Sequence, residues 1–325
     1  MAMFALRYDL RCPPFAKTSA AELAAVAIEQ CEWADRLGFV SVTLSEHHGS
    51  DDGYLPSPMV LAAAIAARTV NLRLMLGAMI APLHDPVRLA EDLAVLDVVS
   101  NGRLIPVLSG GYVASEFARF GRKLSERAEL MDEIVPFLEQ AWTGEPFEHR
   151  GRPVCVTPRP VQRPRPPIWL GGSSRAAARR AARLADHFMP SLPEYHEVFR
   201  EERLKLGKPD PGPAPAVLSN FVHVAEDPDA AWEQIAPHAL HETNAYARWA
   251  SDTGADVPYQ AIDDADVLRA SGQYPVLTPD ELIEKARALG AAGTVMLHPL
   301  MGGLAPELSW QSLRLIETRV LPALS

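Results

Sequence analysis

The chain has 325 residues, 48% of them hydrophobic and 22% charged, with a formal net charge of -10. That length buries a large core without disulfide or metal support, and with no Lys/Arg run longer than a pair the charge excludes an electrostatic footprint for nucleic acid or an anionic membrane. Cys12, Cys31 and Cys155 form neither a CxxC pair nor a framework, no stretch approaches the ~18 apolar residues of a membrane span, and Met1 to Asp9 lack the apolar core of a secretion signal, so the expectation is a cytoplasmic protein acting on a small molecule.

Phe4 to Leu10 reads as a first strand. Ser19 is a plausible N-cap for a helix over Ala20 to Leu37, with Leu23, Ala27, Ile28, Cys31 and Ala34 at helical spacing and Gly38 as its stop. Phe39 to Ser45 is a second strand that ends abruptly in Glu46-His47-His48-Gly49. Pro58 to Thr69 is a small-residue helix and Leu72 to Ile80 a third strand. Asp85-Pro86 opens a helix to Val99, and Ser100-Asn101-Gly102-Arg103 turns into a fourth strand, Leu104 to Leu108.

After Gly110-Gly111, Ser125 to Trp142 reads as an amphipathic helix. Residues 143 to 167 are proline-rich and aperiodic, a long connection expected to form a small hairpin or extended cover over the rim. Ile168 to Leu170 is a fifth strand running into Gly171-Gly172-Ser173-Ser174 and a helix from Arg175 to Leu184. Asp186 to Pro190 is a sixth strand, Ala216 to Ala225 a seventh, Pro228 to Ala247 a helix, and about 251 to 276 an insertion without a clear period. Pro279 to Leu289 (helix), Thr294 to His298 (strand) and Ser309 to Leu321 (helix) close the chain. Strands alternating with helices define an α/β protein, and eight such units predict one (β/α)8 TIM-barrel domain over residues 1–325, with insertions at the carboxyl-terminal mouth.

In such a barrel, ligands gather beyond the carboxyl ends of the strands. The candidates are therefore Glu46, His47 and His48; Gly77 to Ala81; Ser109 to Tyr112; Gly171 to Ser174; His187 to Pro190; and His298. A metal centre is not expected: adjacent His47 and His48 point to opposite faces in a strand, and neither His-x-His, HExxH nor a cysteine pair is present. There is no Gly-x-Ser-x-Gly elbow, P-loop or GxGxxG. Gly171 to Ser174 fits either a glycine turn with a serine N-cap or a phosphate cradle at a helix start, where Ser173, Ser174 and Arg175 add donors. Leu76-Gly77-Ala78-Met79 puts small residues inside an apolar strand, which fits a bulge or a flat ligand lying on the backbone.

Taken in order, Glu46-His47-His48, His84-Asp85-Pro86-Val87-Arg88-Leu89-Ala90-Glu91-Asp92 with Leu96-Asp97, Gly102-Arg103-Leu104, Ser109-Gly110-Gly111-Tyr112, Glu116-Phe117, Phe120-Gly121, Arg127 and Pro167 to Ser173 resemble the bacterial-luciferase-like monooxygenase family, most densely from about residue 38 to 175. The resemblance implies a (β/α)8 barrel binding reduced FMN or, in one branch, a deazaflavin coenzyme. It makes His47 the active-site histidine and places Glu46 with the flavin-site residues. It matches Gly77 and Ala78 to a bulged cis peptide behind the flavin ring, and Gly172 and Ser173 to the phosphate. Luciferases carry a phosphate-binding arginine at the position of Gly110, and Arg175 is the local substitute to examine. The implied chemistry is monooxygenation by reduced flavin and O2, with His47 positioning or protonating. A deazaflavin-dependent reductase or dehydrogenase and a non-catalytic flavin-binding barrel are the alternatives. A flavin reductase is an implied partner, and the small-residue face from Leu61 to Ala67 suits a homodimer contact.

Overall fold

The computed structural model describes residues 2–251 and 259–324. Seven parallel strands form the main sheet: β1 (Met3–Tyr8), β2 (Ser41–Leu44), β3 (Arg73–Ile80), β4 (Leu104–Ser109), β7 (Trp169–Gly172), β8 (His187–Pro190) and β11 (Thr294–Leu297), in the order β11-β1-β2-β3-β4-β7-β8. A short antiparallel hairpin, β5 (Phe147–His149) with β6 (Arg152–Val154), lies in the proline-rich connection, where a hairpin was one of two expected forms. The helices are α1 (Ala20–Arg36), α2 (Pro58–Ala66), α3 (Pro86–Val99), α4 (Ala114–Arg119), α5 (Arg127–Ala141), α6 (Arg175–Leu184), α7 (Pro193–Lys205), α8 (Pro228–Ser251), α9 (Ala265–Ala270), α10 (Pro279–Leu289), α11 (Pro306–Leu315) and α12 (Leu321–Leu324). None is long and apolar enough to cross a membrane among the described residues.

The sheet alternates as the period of two demands. Leu6 and Tyr8, Val42 and Leu44, and Leu74 and Leu76 are buried in the main core, and Tyr8 donates its hydroxyl to Gln30 of α1 at 2.8 Å, which fixes this face toward the helices. Arg7, Thr43 and Gly77 point the other way. A Cβ added to Gly77 would lie 3.6 Å from Met189 Cε, on a strand three places away in the order, so the sheet curls around its inner face.

The expected seventh strand is corrected. Within Ala216 to Ala225, Val217 makes a single parallel bridge to Thr294, while His223–Val224 (β9) leaves the sheet to pair with Val276–Leu277 (β10). Polar Ser219 and Asn220 interrupt the apolar run, and Ser219 donates its hydroxyl to Gln273 O at 2.7 Å, holding the segment against the 271–274 loop. The structure is thus a curled parallel half-barrel with this segment beside its edge. Two helices, α4 and α7, were not among the expected elements, although α7 carries Pro193 and Glu194 in its first turn and Arg203 and Lys205 in its last. In the insertion at 251–276, α9 is capped by the Asp264 carboxylate on Asp266 N and Val267 N, whereas 252–258 lie outside the described residues. The closing helix begins earlier than expected, at Pro306, and widens into a π-helical turn at Ile316–Val320.

Buried polar groups fix the frame. Asp35 accepts from the N–H groups of Val70, Asn71 and Leu72 and so seats the entry to β3. Asp97, fully buried, accepts from Val161 N, Gln162 N and Gln162 Nε2, pinning the long connection. The Arg103 guanidinium closes the end of α2, bonding Ser100 O, Thr69 Oγ1, Leu72 O, Ala66 O and Thr69 O at 2.6 to 3.0 Å. Arg103→Ala strands those carbonyls and is expected to cost about 2–4 kcal/mol, read as a lower urea midpoint; Arg103→Lys recovers only part, because an ammonium cannot reproduce the fork.

Candidate functional site

The carboxyl end of β2 is organised by one carboxylate. Glu46, 2% exposed, accepts from Ile80 N at 2.7 Å through Oε2, and from His48 Nε2 and His84 Nε2, each at 2.9 Å, through Oε1. Burial alone would raise its pKa, but the hydrogen bonds from His48 and His84, the charge of His84 and the Ile80 N–H prevail and hold it at about 2. The site residue expected to meet cofactor is therefore a brace from β2 to the exit of β3.

His47 lies on the other side of the chain at this point. Its Nδ1–H donates to Glu116 Oε1 at 2.9 Å, because an ionised carboxylate can only accept, and the same oxygen accepts from His48 N at 2.7 Å. This leaves His47 Nε2 without a partner among the described residues. The ring is enclosed by Trp249 (centroids 4.3 Å apart), Tyr54 (4.8 Å) and Tyr112 (5.7 Å). Beneath that enclosure lies Arg11, with no side-chain exposure, 4.6 to 4.8 Å from the ring centroids of Tyr54, Tyr246 and Trp249 and 2.5 Å from Asp52. Among the charged neighbours of Arg11, Asp52 in turn holds His241 at 2.8 Å.

At β3 the peptide between Gly77 and Ala78 is cis, and the pairing with β4 shifts between Gly77 and Met79. Ser45 Oγ donates to Gly77 O at 2.9 Å, and Ser109 Oγ to Met79 O at 3.3 Å, so the ends of β2 and β4 both hold the bulge. Small residues then meet across β4: a Cβ on Gly171 would touch Ala78 Cβ at 3.4 Å and Ser109 Cβ at 3.6 Å. Two glycines are obligatory here. Gly111 has φ +68° and a Cβ there would stand 2.7 Å from Ile80, while one on Gly172 would stand 2.4 Å from Ala177 Cβ.

Ser174 is the N-cap of α6, accepting from Ala177 N at 3.2 Å, which is the plainer of the two roles the turn allowed. Arg175 is exposed. The arginine that stands over Gly110 is Arg127: a Cβ on Gly110 would lie 3.7 Å from its Cδ. Neither Arg127 nor Arg175 has an ion pair or hydrogen bond among the described residues. The structure thus brings together Glu46, His47, Gly77, Ala78, Ser109 and Gly171, with Gly172, Ser173 and Ser174 following at the start of α6 and Gly110 beneath Arg127.

One candidate stands apart from them. His187 opens β8, paired in register with Trp169 at the amino-terminal end of β7 and packed on its ring at 4.7 Å, so it stands away from the carboxyl mouth. His298 follows the carboxyl end of β11 and is buried beside Asp9 and Glu242, reaching Arg11 beneath the His47 enclosure through Asp9. Sequence reasoning gave no part to Arg11, Asp52, Tyr246 and Trp249, and it quoted Glu116 and Arg127 without assigning either a task. Glu116 carried a signal: an acid on a short aromatic-flanked segment just beyond the fourth strand.

The luciferase-like monooxygenase family matches residues 12–296, and the chain belongs to that family. It is 33% identical over 150 residues to the oxygenase component of a flavin-dependent trigonelline monooxygenase from Acinetobacter baylyi, a match covering 44% of this chain and 41% of that protein. The chain's matches span a little under half the length of the curated relatives. Among solved structures, monooxygenase RslO1 from Streptomyces bottropensis superposes with a TM-score of 0.80 at 27% identity, covering 99% of this chain and 100% of that one. The oxygenating constituent of 3,6-diketocamphane monooxygenase from Pseudomonas putida, solved with FMN, shares the fold with a TM-score of 0.75 at 23% identity, covering 99% of each chain.

A carboxylate whose pKa falls from its ordinary 4.5 to about 2 on folding contributes stability on the order of 3 kcal/mol, present in full above pH 4.5 and lost as pH drops toward 2. Glu46→Gln is therefore expected to lower stability at pH 7 by that order. The gap between variant and wild type should narrow below pH 4, as followed by denaturant unfolding across pH.

Proposed function

We propose that the protein is a flavin-dependent monooxygenase that uses reduced FMN and O2 on a small organic substrate, and that residues 1–325 form one (β/α)8 barrel closed by the 216–225 segment, with insertions at 143–167 and 251–276. The observation that carries the cofactor reading is the cradle of Gly77, Ala78 and Gly171. A Cβ on Gly77 would stand 3.1 Å from Thr43 Cγ2 and one on Gly171 3.4 Å from Ala78 Cβ, so only the smallest residues are accommodated where β3 bulges, and the backbone they leave uncovered is the surface against which a planar ring system would rest. FMN fits the residues present: Arg127 above Gly110 supplies an uncommitted guanidinium, and Ser173, Ser174, Arg175 and the first turn of α6 supply donors for a phosphate.

Bound reduced flavin would supply the electrons with which O2 is activated. The chain's own residues hold and orient. Glu116 keeps the proton of His47 on Nδ1, which leaves Nε2 as the atom that accepts or, once protonated, returns a proton to the reacting oxygen. Trp249, Tyr54 and Tyr112 narrow the space around the imidazole and so limit how a substrate can approach that nitrogen. Ser45 and Glu46 fix the β3 backbone on which the ring would rest. A separate flavin reductase would deliver the reduced cofactor. A homodimer is supported by the apolar side chains Val60, Val70, Val95, Val98 and Val99, which lie exposed on and around α2 and α3.

Arg127→Ala is expected to weaken FMN binding by about 10- to 100-fold while leaving riboflavin binding within threefold, measured by fluorescence titration. His47→Ala should lower the rate of O2-dependent product formation by about 10²- to 10⁴-fold with FMN affinity little changed. Thermal unfolding with FMN, reduced FMN and a deazaflavin decides the cofactor. A shift with the deazaflavin alone, together with turnover that needs no O2, would replace the monooxygenase reading by a deazaflavin-dependent dehydrogenase.

A further inference from the structure

On the β1 side of the half-barrel a cavity of about 250 Å³ opens between segment 218–221, the loop 271–274 and α8, lined by Arg7, Glu242, Tyr259, Phe221, Ser219 and Tyr274 among others. Its floor is a buried charge cluster. Glu242, 1% exposed, places Oε1 3.7 Å from Arg7 Nη2 and 3.8 Å from His298 Nδ1, and its Oε2 has no hydrogen-bond partner among the described residues. Arg7 makes a long bond, 3.4 Å, to the Tyr246 hydroxyl, hydrogen-bonds the phenol of Tyr259 and faces the charge of Glu242, which leaves further N–H groups of its guanidinium to donate. Deeper in, Asp9 lies 3.4 Å from Arg11 Nε and 3.5 Å from His298 Nε2.

The ligand atoms of Asp9, Glu242 and His298 come within 4.8 Å of one another, a spacing that would suit a divalent cation. The guanidiniums argue against one. Each carboxylate already faces an arginine, so an added cation would meet two fixed positive charges at close range. What the cavity does present is a donor fork beside a free acceptor oxygen, with the two charges cancelling. A cationic ligand is repelled by Arg7 and an anionic one by Glu242. A neutral group that accepts one hydrogen bond and donates another satisfies both, and Phe221, Tyr259 and Tyr274 give its carbon frame apolar walls.

We infer that this cavity is a substrate subsite for a neutral secondary amide held cis in a ring, its carbonyl accepting from Arg7 and its N–H donating to Glu242 Oε2. That the bound compound is a substrate rests on the monooxygenase reading; that it binds does not. The experiment uses flavin-free protein and three probes of one size: 2-piperidone, piperidinium and valerate, each titrated by ligand-observed NMR and by calorimetry. The lactam should bind at least tenfold more tightly than either ion. Glu242→Gln should weaken it at least tenfold without changing the affinity for FMN, measured in parallel as a check on folding. A crystal soaked with 2-piperidone should place the ring against Arg7 and Glu242. Tighter binding of either ion, an unchanged lactam affinity in Glu242→Gln, or a lactam seated elsewhere would overturn the inference. FMN binding without lactam binding overturns the subsite alone, and lactam binding without FMN binding overturns the cofactor reading alone.

Discussion

The architecture of the mouth depends on the buried carboxylate of Glu46. A strand end is a poor platform because its last peptide groups have lost their ladder partners. Here Oε2 takes the Ile80 N–H just beyond the β3 bulge, and Oε1 takes two imidazoles, one from the same loop and one from the entry to α3. One side chain thereby ties the exits of two neighbouring strands and the start of the next helix. The bulge is gripped from both sides, by Ser45 from β2 and Ser109 from β4, so the small-residue surface at Gly77 and Ala78 is set by its supports rather than by packing of its own.

Because Glu46 is committed inward, its neighbour is free. Alternation along the chain sends His47 to the opposite side, where Glu116 fixes its tautomer and three aromatic rings narrow its surroundings. Adjacent residues in Glu46-His47-His48 thus have separate tasks: scaffold, the proposed chemistry, and a second hydrogen bond back to the scaffold. The same division recurs among the residues that carried the family resemblance. Asp97 and Arg103, equally part of it, touch no candidate site; one pins the long connection and the other closes α2.

How far the sequence could be read followed from the range of the forces involved. Helices capped by Ser19 and Asp85 were legible because a cap and its partner lie within three residues of each other. Parallel strands were legible as continuous apolar runs. The 216–225 segment failed because its apolar content says nothing of which neighbour offers a ladder, and His223–Val224 pair with Val276–Leu277 in place of the main sheet. α7 was missed because Pro193, a first-position helix proline, comes close after Pro190 and reads with it as loop. At the site, glycines and an EHH run were visible. Arg127 over Gly110, Glu116 under His47 and Arg11 within its ring of aromatics were not, because each contact joins residues from 17 to more than 200 positions apart in the chain.

The uneven pairing of the sheet has a consequence for descent. β11, β1, β2, β3, β4, β7 and β8 are joined in that order by parallel ladders, whereas the 216–225 segment is attached to the sheet by one bridge at Val217. Substitutions along that loosely fastened margin, and in the loop beside it, disturb little of the ladder that carries Gly77, Ala78 and Gly171. A lineage built on this frame can therefore redraw what it accepts on one flank while inheriting the other flank unaltered.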